Sequence, residues 1–107
     1  MLDSYYVGGD VATREALEVG ALVPTLPGTH LGSRFGQAYY AVMGVTDLVA
    51  RDADDYVAIA VRVATDPPYA AELRRRVADN LHKLFESHQA VHAWTEMLLK
   101  LATPPRR

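Results

Sequence analysis

The stretch of the sequence best suited to hold a ligand reads GGDVATREAL and covers residues 8–17. Two glycines allow the backbone to approach another group closely, and the residues after them are typical of the start of a helix. Free N–H groups at a helix N-terminus, together with the helix dipole, favour a bound phosphate. A strand–turn–helix connection without a ligand is the alternative, because a glycine pair alone is weak evidence for a site.

A pair of histidines is the second candidate for chemistry. His88 and His92 are four residues apart on a predicted helix, a spacing that can bind zinc. The sequence supplies no third ligand, since His82 would lie on another face and Glu96 only extends the row. We therefore interpret the pair as a solvated helix face, and we expect neither a bound metal nor a catalytic residue in this chain.

The composition excludes several classes of protein. The chain has 107 residues, enough for one small domain, and half of them are hydrophobic. Thirteen acidic residues against eleven basic ones give no electrostatic reason to expect nucleic acid or an anionic membrane as a partner. There is no cysteine, and no apolar run approaches the ~20 residues of a membrane span. We expect a cytoplasmic protein.

Local patterns predict short strands first and helices later. Apolar runs predict strands at 3–7, 21–26 and 45–48, although Pro24 cannot donate to a strand ladder. Periodicity predicts five helices, at 13–19, 33–43, 53–65, 68–85 and 88–102.

Residues with strong terminal preferences mark the ends of these helices. Thr13, Asp52 and Asp66 are candidate N-caps, and Gly20 and Gly44 are candidate C-terminal stops. The closing sequence TPPRR is expected to end the last helix.

These elements predict an α/β fold. Residues 1–50 read as a β-α-β-α segment with a small parallel sheet, and residues 51–107 as a helical tail, so that 1–107 form a single partial domain. Two or three strands leave a sheet edge uncovered. We therefore expect a homo-oligomer or a separate partner chain.

Two segments of the sequence resemble a known family of enzymes. LDSYYVGGDVATREALEVGALVPTLPGTHLGSRFG and MGVTDLVARDADDYVAIAVRVATDP are similar to the donor-binding segment of the O-GlcNAc transferase and SPINDLY-type glycosyltransferases. The most specific part of the resemblance is TLPG, which follows GG and EAL at the distance found in the family. The matching residues are Leu2, Asp3, Gly8, Gly9, Glu15, Ala16, Leu17, Gly20, Thr25, Leu26, Pro27, Gly28 and Arg34.

The resemblance implies a Rossmann-like fold, the C-terminal half of a GT-B enzyme, and a site for a nucleotide-sugar donor such as a UDP- or GDP-sugar. The sugar would pass with inversion to a serine or threonine of a protein acceptor, without a further cofactor. By this resemblance Glu15 would bind the ribose, and the donor diphosphate would lie over a loop and helix start formed by Gly8, Gly9, Val11 and Ala12.

The sequence departs from the family at the phosphates. Val11 and Ala12 replace the Asn-Thr or Thr-Thr of the family, and the family's upstream lysine has no counterpart here. Asp10 adds a negative charge at the same place. Two functions therefore remain open: part of the donor site of a protein O-glycosyltransferase, or a non-catalytic relic domain for oligomerisation or protein interaction.

Overall fold

The computed structural model describes residues 1–102, and this part of the chain is helical. TPPRR, at 103–107, lies outside the described residues. No helix of residues 1–102 is both long enough and apolar enough to cross a membrane. The helices are α1 (Val11–Glu18), α2 (Phe35–Met43), α3 (Ala53–Thr65), α4 (Pro67–Asn80) and α5 (His88–Ala102), with 3₁₀ turns at Leu31–Ser33 and Leu81–Leu84.

Local sequence signals account for most helix ends. The Asp52 carboxylate accepts the N–H of Asp55 at 2.8 Å, and the Asp66 carboxylate accepts the N–H of Tyr69 at 3.1 Å, so both predicted N-caps are confirmed. The predicted stops Gly20 and Gly44 have φ of 80° and 71°, the left-handed conformation that glycine adopts without strain. The prediction of Thr13 as an N-cap is wrong, since α1 begins at Val11.

The predicted Rossmann-like α/β fold is wrong for the described residues. No strand forms at 3–7, 21–26 or 45–48, and the residues described contain one isolated parallel bridge, between Thr25 and Val49. Thr25 N–H donates to the Leu48 carbonyl at 2.9 Å, and Ala50 N–H donates to the Thr25 carbonyl at 2.8 Å. Extended segments thus meet without growing into a sheet.

Strand pairing needs free backbone N–H and carbonyl groups, and here side chains bind some of these groups while a proline lacks the N–H. The Tyr40 hydroxyl donates to the Val23 carbonyl at 2.9 Å and accepts the Val23 N–H at 3.3 Å, so Val23 has no free backbone group. Pro24 has no N–H to offer. The Asp3 carboxylate accepts hydrogen bonds from the N–H groups of Ser4 and Gly9. These bonds make the chain turn after Asp3, so that it does not continue as a strand.

The hydrophobic core lies between α1, α2, α4 and the extended segments that join them. Tyr40 is fully buried in this core, and burial raises the pKa of its hydroxyl. The hydroxyl therefore stays protonated and keeps both bonds to Val23. The core residues are Leu17, Leu22, Val23, Tyr40, Met43, Val45, Leu48, Ala70, Leu73 and Val77.

The last helix, α5, stands apart from this core. None of its residues is buried, and the described chain is elongated, with extents of 66 × 29 × 19 Å. Val91, Trp94, Met97, Leu98 and Leu101 are all at least 42% exposed. A helix with this much uncovered apolar surface is typical of one that packs against another element.

Candidate functional site

A buried carboxylate organises the loop that precedes α1. Asp3 is 8% exposed, and its Oδ1 accepts the N–H groups of Ser4 at 3.0 Å and Gly9 at 2.8 Å. Its Oδ2 accepts a hydrogen bond of 2.7 Å from the Thr25 hydroxyl. Sequence analysis identified Asp3 only as a family match, and its structural role was missed. The signal that could have found it is the single acid in the run LDSYYV, shortly before two glycines.

The glycine pair fits tightly between protein groups. A Cβ at Gly8 would lie 3.1 Å from both carboxylate oxygens of Asp3, and a Cβ at Gly9 would lie 2.5 Å from the Thr13 hydroxyl oxygen. The Gly8 N–H donates to the Gly32 carbonyl at 2.9 Å, and the Gly9 N–H is bound to Asp3. The glycines therefore shape the loop, and their own N–H groups are occupied.

Unpaired donors begin with the first residue of α1. The first helical bond runs from the Arg14 N–H to the Asp10 carbonyl, at 3.1 Å, and no side chain caps the helix. The N–H groups of Val11, Ala12 and Thr13 consequently have no partner among residues 1–102. Val11 and Ala12 are exposed. This helix end offers free N–H groups and a positive dipole end to solvent.

Thr13 adds an unusual polar group inside the first turn. Its side chain is fully buried, and its Oγ1 has no hydrogen-bond partner in the described part of the chain. The same atom lies against Gly9. Buried hydroxyls are usually paired, so this unpaired oxygen is an exception at the contact between the glycine loop and α1.

Glu15 is exposed, one turn into α1 from the free N–H groups. Its carboxylate has no partner among the described residues. The structure thus brings Gly8, Gly9, Val11, Ala12 and Glu15, the residues named from the sequence, onto one continuous loop and helix start.

Three side chains, those of Asp10, Arg14 and Tyr39, meet beside the same helix end. Sequence analysis did not predict this contact. The Tyr39 hydroxyl donates to the Asp10 carboxylate, and Arg14 Nε lies 3.5 Å from Asp10 Oδ1. The Arg14 guanidinium is 5.8 Å from the centroid of the Tyr39 ring. Burial, followed by the hydrogen bond to Asp10, raises the pKa of Tyr39 to about 12. The i,i+4 spacing of Asp10 and Arg14 was the available signal.

The histidine pair lies away from this end of the molecule. His88 and His92 are on α5, and His92 Nε2 is 3.4 Å from Glu96 Oε1. No group of three or more metal-ligating side chains forms within residues 1–102. The contact with Glu96 is an exposed i,i+4 pair of the kind that contributes little to stability.

Two clefts lie near the loop. One, of about 130 Å³, opens between Tyr5, Tyr6 and the loop at 28–33, whose Gly32 carbonyl binds Gly8. An apolar groove of about 380 Å³ lies between Met1, Leu2 and α3. The first cleft adjoins the loop of the candidate site.

Comparisons with known proteins agree on one family. The sequence profile described as Glycosyl transferase family 41 matches residues 1–94. A UDP-N-acetylglucosamine–peptide N-acetylglucosaminyltransferase of Caenorhabditis elegans is 32% identical over 99 residues, covering 91% of this chain and 9% of the relative. A probable SPINDLY enzyme of the same activity from Eustoma exaltatum subsp. russellianum is 30% identical over 82 residues, covering 77% of this chain.

A solved structure is similar over most of the same range. An O-GlcNAc transferase mutant of Thermobaculum terrenum superposes with a TM-score of 0.73 at 30% identity, covering 82% of this chain and 17% of that one. The chain thus spans about a tenth of the length of the curated relatives, 9% in each case.

Proposed function

The chain belongs to glycosyl transferase family 41, and we propose that its residues 8–15 form part of the site that binds the diphosphate and ribose of a nucleotide-sugar donor. The relatives are named as UDP-N-acetylglucosamine–peptide N-acetylglucosaminyltransferases, which supports a UDP-linked sugar as donor and a peptide or protein as acceptor.

The observation that carries the proposal is the set of unpaired N–H groups at the start of α1. Val11 and Ala12 present exposed donors at the positive end of a helix, and the free Glu15 carboxylate follows one turn later. A diphosphate accepts such N–H donors, and a carboxylate accepts both hydroxyls of a ribose. In this proposal the phosphates of a nucleoside diphosphate lie at the helix end and the ribose lies beside Glu15.

In this function the chain stabilises the leaving group. The bond between the sugar C1 and the diphosphate oxygen breaks, the acceptor hydroxyl oxygen bonds to C1, and the hydroxyl proton passes to a base. Donors fixed in place before the reaction stabilise the negative charge that develops on the diphosphate. We assign neither the base nor acceptor-side residues to this chain, which corresponds to 9% of the length of the Caenorhabditis elegans relative.

A titration with UDP and GDP, followed by amide NMR, tests the proposal. We expect chemical-shift changes concentrated at residues 8–16, with a weak dissociation constant, because Val11 and Ala12 supply no side-chain donors. Glu15→Ala should weaken binding about tenfold, the value of one strong hydrogen bond. Glu18→Ala, an exposed acid at the other end of α1, is the matched control and should bind like the wild type.

The absence of shifts at 8–16 with millimolar nucleotide would refute the donor site. Equal effects of Glu15→Ala and Glu18→Ala would refute the ribose contact, because they would show a general charge effect.

The exposed face of α5 favours a second function, self-association. Val91, Trp94, Leu98 and Leu101 follow the 3-4-3 spacing of a helix–helix seam, and all four are more than half exposed. Such a seam is complementary to a second copy of itself. The chain would then act as an interaction module that pairs two copies through α5.

A further inference from the structure

Arg14 places its guanidinium at the same end of α1 as the free N–H groups. Side chains on a helix lean toward the N-terminus, and Arg14 Nε lies 3.5 Å from the carboxylate of Asp10, the residue just before the helix. The Nε atom is buried and makes no hydrogen bond among residues 1–102. An arginine with unused donor capacity therefore stands where the donor diphosphate is proposed to lie.

Asp10 occupies the space in front of Arg14. Its carboxylate does not cap any N–H of α1, although it precedes the helix. It takes the Tyr39 hydroxyl and the Arg14 guanidinium as partners instead, and both charged side chains remain partly exposed, at 46% for Asp10 and 37% for Arg14. Carboxylate and phosphate oxygens are alternative acceptors for the same guanidinium.

Thr13 is an independent sign that this helix end is incomplete without a ligand. It is fully buried, yet its hydroxyl oxygen has no partner among the described residues and lies against Gly9. The free N–H groups, the unpaired Thr13 hydroxyl and the Arg14 guanidinium, whose Nε makes an ion pair but no hydrogen bond, thus belong to one turn of helix.

We propose, resting on the donor-site function above, that Arg14 is a diphosphate-binding residue of this chain and that Asp10 competes with the diphosphate for it. Arg14 takes the place of the side-chain donors that Val11 and Ala12 cannot provide. Asp10 lowers the affinity twice, by occupying the guanidinium and by repelling the phosphates. Tyr39 holds the Asp10 carboxylate aside when Arg14 turns to the diphosphate.

Titrations of the 107-residue chain with inorganic pyrophosphate, UDP and GDP test the proposal by amide NMR. Arg14→Gln should raise the dissociation constant for all three about tenfold, and Asp10→Asn should lower it about fivefold. In the double variant Arg14→Gln/Asp10→Asn, the gain in affinity from Asp10→Asn should shrink to less than half. The reason is that the variant has no Arg14 guanidinium for the loss of the carboxylate to release.

Matched variants lie on another helix. Arg62 pairs with Asp66 at i,i+4 and lies 3.7 Å over the Tyr69 ring, which resembles the arrangement of Arg14. Arg62→Gln and Asp54→Asn change the net charge by the same amounts as the test variants, and both should bind pyrophosphate like the wild type. Arg14→Lys, which keeps the charge, should recover part of the affinity and guards against a folding defect in Arg14→Gln.

The outcomes separate this inference from the donor site itself. If Glu15→Ala weakens UDP binding while Arg14→Gln leaves pyrophosphate binding unchanged, the donor site stands and the role of Arg14 is refuted. If Asp10→Asn and Asp54→Asn have equal effects, the competition is refuted, since the effect is then one of net charge. If no ligand shifts residues 8–16 in any variant, both proposals fail.

Discussion

The buried carboxylate of Asp3 and the hydroxyl of Thr25 are joined by a hydrogen bond of 2.7 Å, between residues 22 positions apart in the chain. The same carboxylate fixes the glycine loop through the Ser4 and Gly9 N–H groups. One side chain therefore ties the loop before α1 to the extended segment that crosses the core.

Asp3→Ala should lower the free energy of unfolding by about 3 kcal/mol, because it leaves several polar groups without their acceptor. Asp3→Asn should cost about 1 kcal/mol, since the amide keeps one acceptor and can donate to Thr25. Urea denaturation measures both. Glu18→Ala, which removes an exposed carboxylate, is the control and should stay within about 0.5 kcal/mol of the wild type. Equal stability of Asp3→Ala and Glu18→Ala would contradict the structural role of Asp3.

Gly9→Ala should destabilise the protein by about 1–3 kcal/mol, because the new methyl would meet the Thr13 hydroxyl oxygen at 2.5 Å. Adding Thr13→Ala removes that oxygen and should recover part of the loss. Gly32→Ala is the matched control, since a Cβ there has no neighbour within 4 Å. Thermal or urea unfolding of these three variants, of Thr13→Ala alone and of the wild type decides the matter, and a failure of Thr13→Ala to rescue Gly9→Ala would show that the clash is not the cause.

The Asp47–Arg76 pair should make stability depend on acid pH. The pair is bidentate, at 2.9 and 3.1 Å, and the hydrogen bonds from Arg76 lower the pKa of Asp47. A lowered pKa in the folded state contributes stability that is present above the unfolded pKa of about 3.9 and is lost as pH falls through the folded pKa. Asp47→Asn should therefore cost about 0.5–1 kcal/mol at neutral pH, a value reduced because both side chains are about one-third exposed.

Urea titrations of the wild type and Asp47→Asn at several pH values measure this difference. It should shrink toward zero as the pH falls below the lowered pKa of folded Asp47, where the carboxyl of the wild type is protonated as well. A difference that stays constant down to that pH would contradict the ion-pair origin.

Leu98→Glu should abolish self-association through α5, because the seam would then bury a charge. Sedimentation equilibrium at tens of micromolar should give a dimer for the wild type and a monomer for Leu98→Glu. Gln89→Glu introduces the same charge on the opposite, exposed side of α5 and should leave the dimer intact. A monomeric wild type would contradict the second function and would leave the donor-site function unaffected.

Short-range signals made the helices predictable. Asp52 and Asp66 cap helices within three residues of themselves, and Gly20 and Gly44 end helices by their own conformation, so the sequence near each contains the whole interaction. The strands were predicted wrongly because Tyr40, 17 residues from Val23, takes the backbone groups that pairing needs. No pattern in the sequence near Val23 or Tyr40 predicts hydrogen bonds between residues this far apart.

The candidate site stays a prediction, while the structure explains part of its sequence pattern. The glycine pair and Glu15 predicted a site at this loop and helix start, and the structure shows that the glycines pack against Asp3 and Thr13. The cluster around Arg14 was missed because it includes Tyr39, which lies on another helix, α2.

We expect the double hydrogen bond of Tyr40 to limit aggregation as well. An extended segment with open N–H and C=O groups is a template on which another chain can add as a strand. Val23 is fully buried, and the phenol hydroxyl satisfies both of its backbone groups from within the molecule. Tyr40→Phe would keep the ring and leave both groups unpaired, so that intermolecular strand pairing becomes the expected route by which such a variant is lost from solution when its core opens.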